Sequence, residues 1–445
     1  MMMTLKTLVA ALAIASCNAF APTAQTITRH HAAASPLSMT AEANEDKEVV
    51  KVGVIGMGRI GLVHLEAITK APGVTPVIVS NPTISKAEAA AKQYNIPRFS
   101  SEAMDVINDP EVDAVWICSP SSFHAEQIKA AAANGKHVFC EKPLATDLGE
   151  TVEAINACNE AGVKLMTGLQ RRFDFNFQRV QEAIAQKEVG QAIQIKLCSR
   201  DPAPPPSSYV KGGGGIFADM AVHDLDMSRF LAGTDPIDIL AVGSLHFDKS
   251  IASYEGSEKY DTASCLVRYP NGLTAMIDVS RQSSFGYDQR AEVLGTEGMI
   301  QTDNVYPNTA RIFKPSYTGN ADMPFDFFLS RYNEAYVTET IAFCESLVND
   351  TPVPCTGEDG LVALIMALAA DKSAAENRWV SFREIVQTVY CKTPTECELV
   401  AESDIFPEGF KPTTDPADLL LPDVDQVKSG AKMPDIKSLV GGWFK

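Results

Sequence analysis

No stretch of the chain gathers its basic residues into a patch, and Lys plus Arg number 38 against 56 Asp plus Glu, which leaves a formal charge of -18. That balance makes nucleic acid and anionic membrane surfaces poor partners. Cysteines at Cys-x-x-Cys spacing are missing as well, so none of the ten belongs to a zinc-finger pattern of paired cysteines followed by paired histidines. A disulfide or zinc framework is therefore set aside, and the cysteines read as buried or free thiols of a reducing compartment. Internal repeats are absent. The apolar run Leu8 to Ala15 is far short of the ~20 residues that span a bilayer. What is present is apolar material for a real core, 45% of 445 residues. At ~100 to 200 residues per domain, two or three domains are expected.

The N-terminus reads as an address. Lys6, the apolar run and the small residues Cys17 and Ala19, at -3 and -1 to a cut before Phe20, have the form of a signal peptide. The following stretch carries Thr, Ser and Ala with Arg29, His30 and His31, and the first acid of the chain is Glu42, which is transit-peptide composition. The segment Ala15 to Pro22 resembles the Ala-Phe-Ala-Pro signature of bipartite presequences in algae whose plastids are wrapped in extra membranes. That resemblance implies import into a plastid and a presequence over 1–48. A plain secretory signal is the alternative, disfavoured by free cysteines and a single glycosylation sequon, Asn349-Asp350-Thr351.

From Val49 short apolar segments alternate with amphipathic ones of helix length. Strands are expected at Val50 to Ile55, Val77 to Ser80, Ala114 to Cys118, His137 to Cys140 and Lys164 to Thr167, with helices between them. This rhythm predicts an α/β domain with a parallel sheet over 49–170. The rhythm then changes. Closely spaced strands at Ile193 to Cys198, Ile239 to Leu245, Ala263 to Tyr269, Leu273 to Ser280 and Arg290 to Leu294 predict an open, largely antiparallel sheet. They define an α+β domain over 171–385, closed by a helix near Gly360 to Ala375 and followed by a tail over 386–445. A sheet with one face free of helices must be covered, which predicts a dimer or tetramer.

The first strand runs into Gly56-Met57-Gly58-Arg59-Ile60-Gly61, and a helix follows at once. In that setting the glycines allow the tight turn, the approach of a pyrophosphate and helix-strand packing, while the helix N-terminus supplies N–H groups. A nicotinamide dinucleotide, NAD or NADP, is the implied cofactor. An NAD-specific site should present an acid about 20 residues on. Here stand Ser80, Asn81 and Thr83, with Lys86 beyond. Asn81 can serve the ribose hydroxyl of NAD, yet the missing acid, with Arg59 or Lys86 to neutralise a 2'-phosphate, tilts the expectation to NADP.

Two further segments fall where strand ends open onto the ligand crevice of such a sheet: Ser119-Pro120-Ser121-Ser122-Phe123-His124 and Cys140-Glu141-Lys142-Pro143. A lysine in the crevice can bind a substrate oxygen. Later, four glycines at 212–215 lead into Asp219 and His223, whose i, i+4 spacing stacks an acid and an imidazole one turn apart. A carboxylate beside an imidazole would orient it and raise its pKa, which suits a base that takes a hydroxyl proton. A helix-surface ion pair is the competing reading.

The glycine turn, Glu141-Lys142-Pro143 and the Gly-rich lead into Asp219-x-x-x-His223 together resemble the Gfo/Idh/MocA oxidoreductase family. Gly168 to Asp174, Ser199 to Pro202, Gly286 to Asp288, Glu292 to Gly295 and Arg331 to Tyr336 resemble its inositol 2-dehydrogenases in particular. The resemblance covers about residues 50 to 385. It implies an N-terminal Rossmann domain plus an α+β substrate domain, and a dehydrogenase acting on a secondary alcohol of a cyclic polyol such as myo-inositol. It implies that Lys142 binds the reacting hydroxyl and that His223, supported by Asp219, takes its proton. Cofactor contacts are implied at Gly56, Gly58, Arg59, Ile60, Gly61, Asn81, Ser119, Pro120, His124, Glu141 and Lys142, and polyol contacts at Arg172, Asp201 and Tyr287. Ser199 stands where some inositol dehydrogenases have a histidine. The alternatives are an NADP-linked sugar or aldose dehydrogenase of the same family and a non-catalytic cofactor-binding regulatory protein.

Overall fold

Apolar segments with little alternation build the first layer, as expected of strands buried on both faces. The computed structural model describes residues 49–390, so the presequence expected over 1–48 and the tail from residue 391 lie outside the described residues. Strands β1 (Val50–Ile55), β2 (Val74–Ser80), β3 (Arg98–Ser100), β4 (Ala114–Ile117), β5 (His137–Glu141) and β6 (Leu165–Gly168) form one sheet in the order β3-β2-β1-β4-β5-β6. Every pairing in it is parallel. Helices α1 (Arg59–Lys70), α2 (Ile84–Tyr94), α3 (Ala103–Ile107), α4 (His124–Ala133) and α5 (Leu148–Ala161) make the crossovers. The strand order reverses beside β1, so the ends of β1 and β4 flank the crevice in which such sheets bind ligands.

After α6 (Phe175–Ala185) comes β7 (Ala192–Arg200), then the short α7 (Ser207–Val210) and α8 (Val222–Ala232). Strands β8 (Asp238–Ser244), β9 (Thr262–Arg268), β10 (Thr274–Ser280), β11 (Asp288–Gly295) and β12 (Met299–Thr302) follow, then the exposed hairpin β13 (Arg311–Lys314) and β14 (Tyr317–Ala321). Helices α9 (Phe328–Arg331), α10 (Asn333–Val348) and α11 (Gly357–Glu376), strand β15 (Val380–Ser381) and α12 (Phe382–Tyr390) complete the described chain. α12 runs past residue 385, where the tail was expected to begin. The second sheet has the order β12-β11-β7-β10-β9-β8-β15. Among the described residues β7 and β10 are its one parallel pair, from Gln194 opposite Thr274 to Arg200 opposite Ser280. β9 shows its two faces: Ala263, Cys265 and Val267 are buried, while Ser264, Leu266 and Arg268 are not.

Two findings go beyond the sequence pattern. The strand β3 closes the edge of the first sheet, and α10 packs on α1. Phe343 of α10 meets Trp116 edge-on at 5.2 Å, and Trp116 stacks on Phe139 at 5.1 Å. The core is thus continuous from the first sheet to helices far along the chain.

Candidate active site

The turn after β1 is built for close approach. Gly56 has φ +97°, and a Cβ there would lie 2.5 Å from the main-chain oxygen of Cys118, so only glycine fits. A Cβ on Gly61 would lie 1.7 Å from Gly56 O, which makes Gly61 the position where helix meets strand. A Cβ on Gly58 would meet nothing within 4 Å, so this side of the turn is open to a pyrophosphate. The first helical bond runs from Leu62 N–H to Gly58 O at 3.0 Å. The N–H groups of Arg59, Ile60 and Gly61 therefore have no acceptor inside the helix, and a diphosphate can take them. The residues present fit a dinucleotide.

Asn81 follows β2 directly. Its Oδ1 accepts the Met57 N–H at 3.0 Å and its Nδ2 donates to Thr83 O at 3.2 Å, so it braces the glycine turn from the ribose side. The Arg59 guanidinium sits 5.9 Å from the Phe327 ring centre and 5.3 Å from that of Phe328. Arg59, exposed at the start of α1, thus lies beside the aromatic segment before α9.

Two other expected cofactor residues turn inward. His124 is 1% exposed, with Nδ1 2.8 Å from Pro143 O and Nε2 2.8 Å from Ser119 O. Burial, the largest influence, lowers its pKa against those carbonyls, so one contact is a hydrogen bond and the other a close approach. His124 fastens the Ser119-Pro120 turn to the Lys142-Pro143 turn and does not reach a ligand. The Glu141 side chain is buried too, with Oε1 2.7 Å from His64 Nε2. Ser119, whose Oγ donates to Gln127 at 2.6 Å, and exposed Pro120 stay at the crevice edge.

Lys142 lies where β5 ends. Its Nζ donates to the main-chain oxygen of Asp219 at 2.9 Å and stands 3.6 Å from the Asp219 carboxylate. The four glycines make that meeting possible: Gly212, Gly214 and Gly215 all have positive φ, and a Cβ on Gly215 would be 2.0 Å from Ser257 Oγ. Asp219 then sits in a widened, π-type turn, Phe217–Ala221, that feeds α8. Such turns recur at functional sites.

The Asp219 carboxylate accepts from Arg281 Nη1 at 3.1 Å and from Tyr209 Oη at 3.1 Å. Burial pushes its pKa up, but Lys142, Arg281 and Tyr209 outweigh burial and hold it below the usual value. His223 gains nothing from this acid. Its Nδ1 is buried without a hydrogen-bond partner, and burial, then Lys142 and Arg171, hold its pKa well below that of a free imidazole. The expected rise from Asp219 is corrected, because Asp219 is spent on two cations and a phenol.

The three expected polyol contacts divide. Asp201 follows β7 and is pushed up to about 6, by burial first and by Asp219 and Asp224, against the pull of Arg281 and Arg171. Tyr287 is buried, edge-on to Tyr332 at 6.3 Å, and its pKa is shifted by Tyr332, Arg171 and Asp201 after burial, which places it in the same cluster. Arg172 faces elsewhere. Its Nε and Nη2 donate to Asp226 at 2.9 and 2.6 Å, and Nη1 pairs with Asp359 at 3.1 Å. Its guanidinium is saturated by acids under α8 and α11, so the polyol assignment is corrected. The neighbour Arg171 takes the pocket side, donating to Ser199 at 2.7 Å and to Asp224 at 2.9 Å. Ser199 in turn donates to Asp224 at 2.5 Å.

Sequence reasoning missed Arg171, Tyr209 and Arg281. Arg281 carried a usable signal: like Asp201, it is the first residue beyond a strand of the second sheet. Among the described residues no cluster of three or more metal-ligating side chains occurs.

Comparison with known proteins adds a family. The Gfo/Idh/MocA model "Oxidoreductase family, NAD-binding Rossmann fold" matches residues 50–169, and the family's C-terminal domain matches 177–301. The chain is 39% identical over 329 residues to YrbE, an uncharacterized oxidoreductase of Bacillus subtilis (strain 168), covering 74% of this chain and 95% of that one. It is 36% identical over 337 residues to the myo-inositol 2-dehydrogenase of Thermotoga maritima, covering 76% of this chain and all of the relative. Among solved structures, scyllo-inositol dehydrogenase from Lactobacillus casei with bound NAD(H) and scyllo-inositol superposes with a TM-score of 0.70 at 27% identity, covering 76% of this chain and 100% of that one.

Proposed function

The chain belongs to the Gfo/Idh/MocA oxidoreductase family, and from that premise we propose that it is an NAD-dependent dehydrogenase interconverting a secondary alcohol of a cyclic polyol, an inositol, and its ketone. The observation that carries this reading is the meeting of Lys142 with Asp219, 77 residues away, beside a dinucleotide turn, with the His223 imidazole close enough to feel the Lys142 charge. NAD is the cofactor of the reading. The NAD-binding family match supports it, and so does the geometry, since Asn81 offers a polar side chain to a ribose hydroxyl. The tilt toward NADP is withdrawn.

Bound nicotinamide supplies the hydride acceptor in oxidation and the donor in reduction. The protein's own groups handle the oxygen. Lys142, anchored by Asp219, binds the reacting hydroxyl and stabilises its developing negative charge. His223 takes the hydroxyl proton. Burial and two cations keep its imidazole unprotonated near neutral pH, so a lone pair is available and the proton moves as C–H bond cleavage makes the hydroxyl acidic. Asp201 and Tyr287 contact other hydroxyls of the ring, with Arg171 behind them.

We also infer a homo-oligomer formed through the open face of the second sheet. Leu240, Leu266 and Met276 lie in one register row and are not fully buried, with Val242, Leu294 and Met299 exposed on adjoining rows. Covering such a face by a second copy removes apolar area from water. Targeting to a plastid rests on the acid-poor, hydroxyl-rich first 41 residues. Light scattering of the purified chain and imaging of a fluorescent fusion test these two points; a monomer or a secreted fusion would refute them.

The function is tested by incubating the full chain with NAD and myo-inositol, scyllo-inositol or glucose while following nicotinamide reduction. Turnover with an inositol is expected. Turnover with glucose alone would move the reading to a sugar dehydrogenase, and no turnover with any of them to a regulatory protein.

A further inference from the structure

Behind Lys142 lies a buried polar cluster that the reaction as described does not use. His64, on the second turn of α1, is fully buried, its ring edge-on to Phe139 at 5.0 Å and to Tyr336 at 5.2 Å. Those two rings fix its plane. Its Nε2 stands 2.7 Å from Oε1 of Glu141, while the other carboxylate oxygen of Glu141 accepts the main-chain N–H of Lys142 at 3.2 Å. One carboxylate therefore joins the helix that begins at the glycine turn to the backbone of the lysine. His64 Nδ1 faces no acceptor, which assigns the ring proton to Nε2, the donor toward Glu141.

We propose that His64 is a positioning residue: through Glu141 it forms a buried strut that ties the phosphate-binding helix to Lys142 and holds the lysine at its working distance from Asp219. This rests on the reading of Lys142 as the group that binds the reacting hydroxyl. The surroundings suit a strut with a single bonded acid. Glu339 of α10 is fully buried, and no side chain bonds its carboxyl, toward which the Leu169 main-chain N–H is set. Burial first, then Glu141, pushes its pKa well up. Cys118 and Tyr336 are pushed up by the same two causes. Of these four acids Glu141 is the one given donors on both oxygens, so the order of the cluster converges on the Lys142 N–H.

The strut is tested by a readout that needs no substrate. The full chain is treated briefly with acetic anhydride in the presence of NAD, and the acetylation of Lys142 is measured by peptide mass spectrometry against exposed Lys86. In His64→Leu, Lys142 is released from Asp219 and acetylates at least about three-fold faster, and kcat falls about ten-fold while the NAD Kd changes by less than about three-fold. His64→Gln, whose side-chain amide places a donor near the former Nε2, returns both values to within about two-fold of the wild type. Unchanged acetylation and kcat in His64→Leu would overturn the proposal, as would a His64→Gln protein as impaired as His64→Leu. If His64→Leu does not fold, Glu141→Met, which takes away both acceptors, must show the faster acetylation or the strut is refuted. If the wild type turns over no polyol, the reading of the site fails, and the acetylation comparison still decides the strut.

Discussion

Asp201→Asn should make the protein more stable and a worse enzyme. The Asp201 carboxyl is displaced from its ordinary 3.8 to about 6, with burial the largest cause. At ~1.4 kcal/mol per tenfold change, keeping this group ionised costs the folded state about 3 kcal/mol once the pH is well above both values. The sign follows from proton counting. Between 3.8 and 6 the folded protein holds the proton and the unfolded chain does not, so stability falls as pH rises through that window. An asparagine carries no such cost. The urea midpoint of Asp201→Asn, at fixed protein concentration, should therefore exceed that of the wild type by the equivalent of about 3 kcal/mol at pH 7.5 and about half as much at pH 5. Removing the anion also removes an acceptor for the polyol, so its KM should rise at least about ten-fold with kcat within about three-fold. A difference in midpoint that is zero, or equal at the two pH values, would refute the assignment of a strained carboxylate to this position.

Lys142→Ala and His223→Ala should each lower kcat at least about 100-fold, the usual worth of a positioned acid-base group, with NAD binding retained in the histidine variant by fluorescence titration. Because the imidazole is held well below its ordinary pKa, no loss of kcat from its protonation should appear between about pH 6 and 8, whereas an ordinary histidine would titrate in that interval. Gly61→Ala must push α1 away from Gly56, and its calorimetric Tm should fall while NAD binding weakens beyond detection; a silent Gly61→Ala would show that the helix does not seat on the strand. Asn81→Asp keeps the acceptor for Met57 N–H and sets a charge against a 2'-phosphate, so the NAD to NADP ratio of kcat/KM should rise about ten-fold or more.

The features legible in the sequence were those decided within one element. The run Val50 to Ile55 followed by glycines and a helix names its own partners, because strand, turn and helix are consecutive. Features decided between distant elements were not legible. Which of Arg171 and Arg172 faces the pocket depends on Asp226 and Asp359 beneath one and Ser199 and Asp224 beside the other. The partner of Asp219 was read as its helical neighbour His223, yet the carboxylate turns to Arg281, 62 residues away. α10 escaped notice because its buried side carries Glu339, Thr340 and Ser346 among Tyr336 and Phe343, so no clean apolar stripe marks it.

The parallel pairing of β7 with β10 inside an otherwise antiparallel sheet has a consequence for how this catalyst can change over evolutionary time. Two strands running the same way discharge side by side, and the residues just past them, Asp201 and Arg281, arrive together at the pocket. Asp201 sits on the boundary between a rigid ladder and a free connection, where a substitution alters what the pocket recognises without disturbing the pleat behind it, whereas Arg281 also holds the Asp219 carboxylate. Gly56 and Gly61 of the glycine turn, by contrast, are seated on the first sheet by main-chain contacts that leave no room for a side chain. Change in substrate preference is thereby channelled to the wall that carries Asp201, while the two crowded glycines hold the dinucleotide turn to one shape.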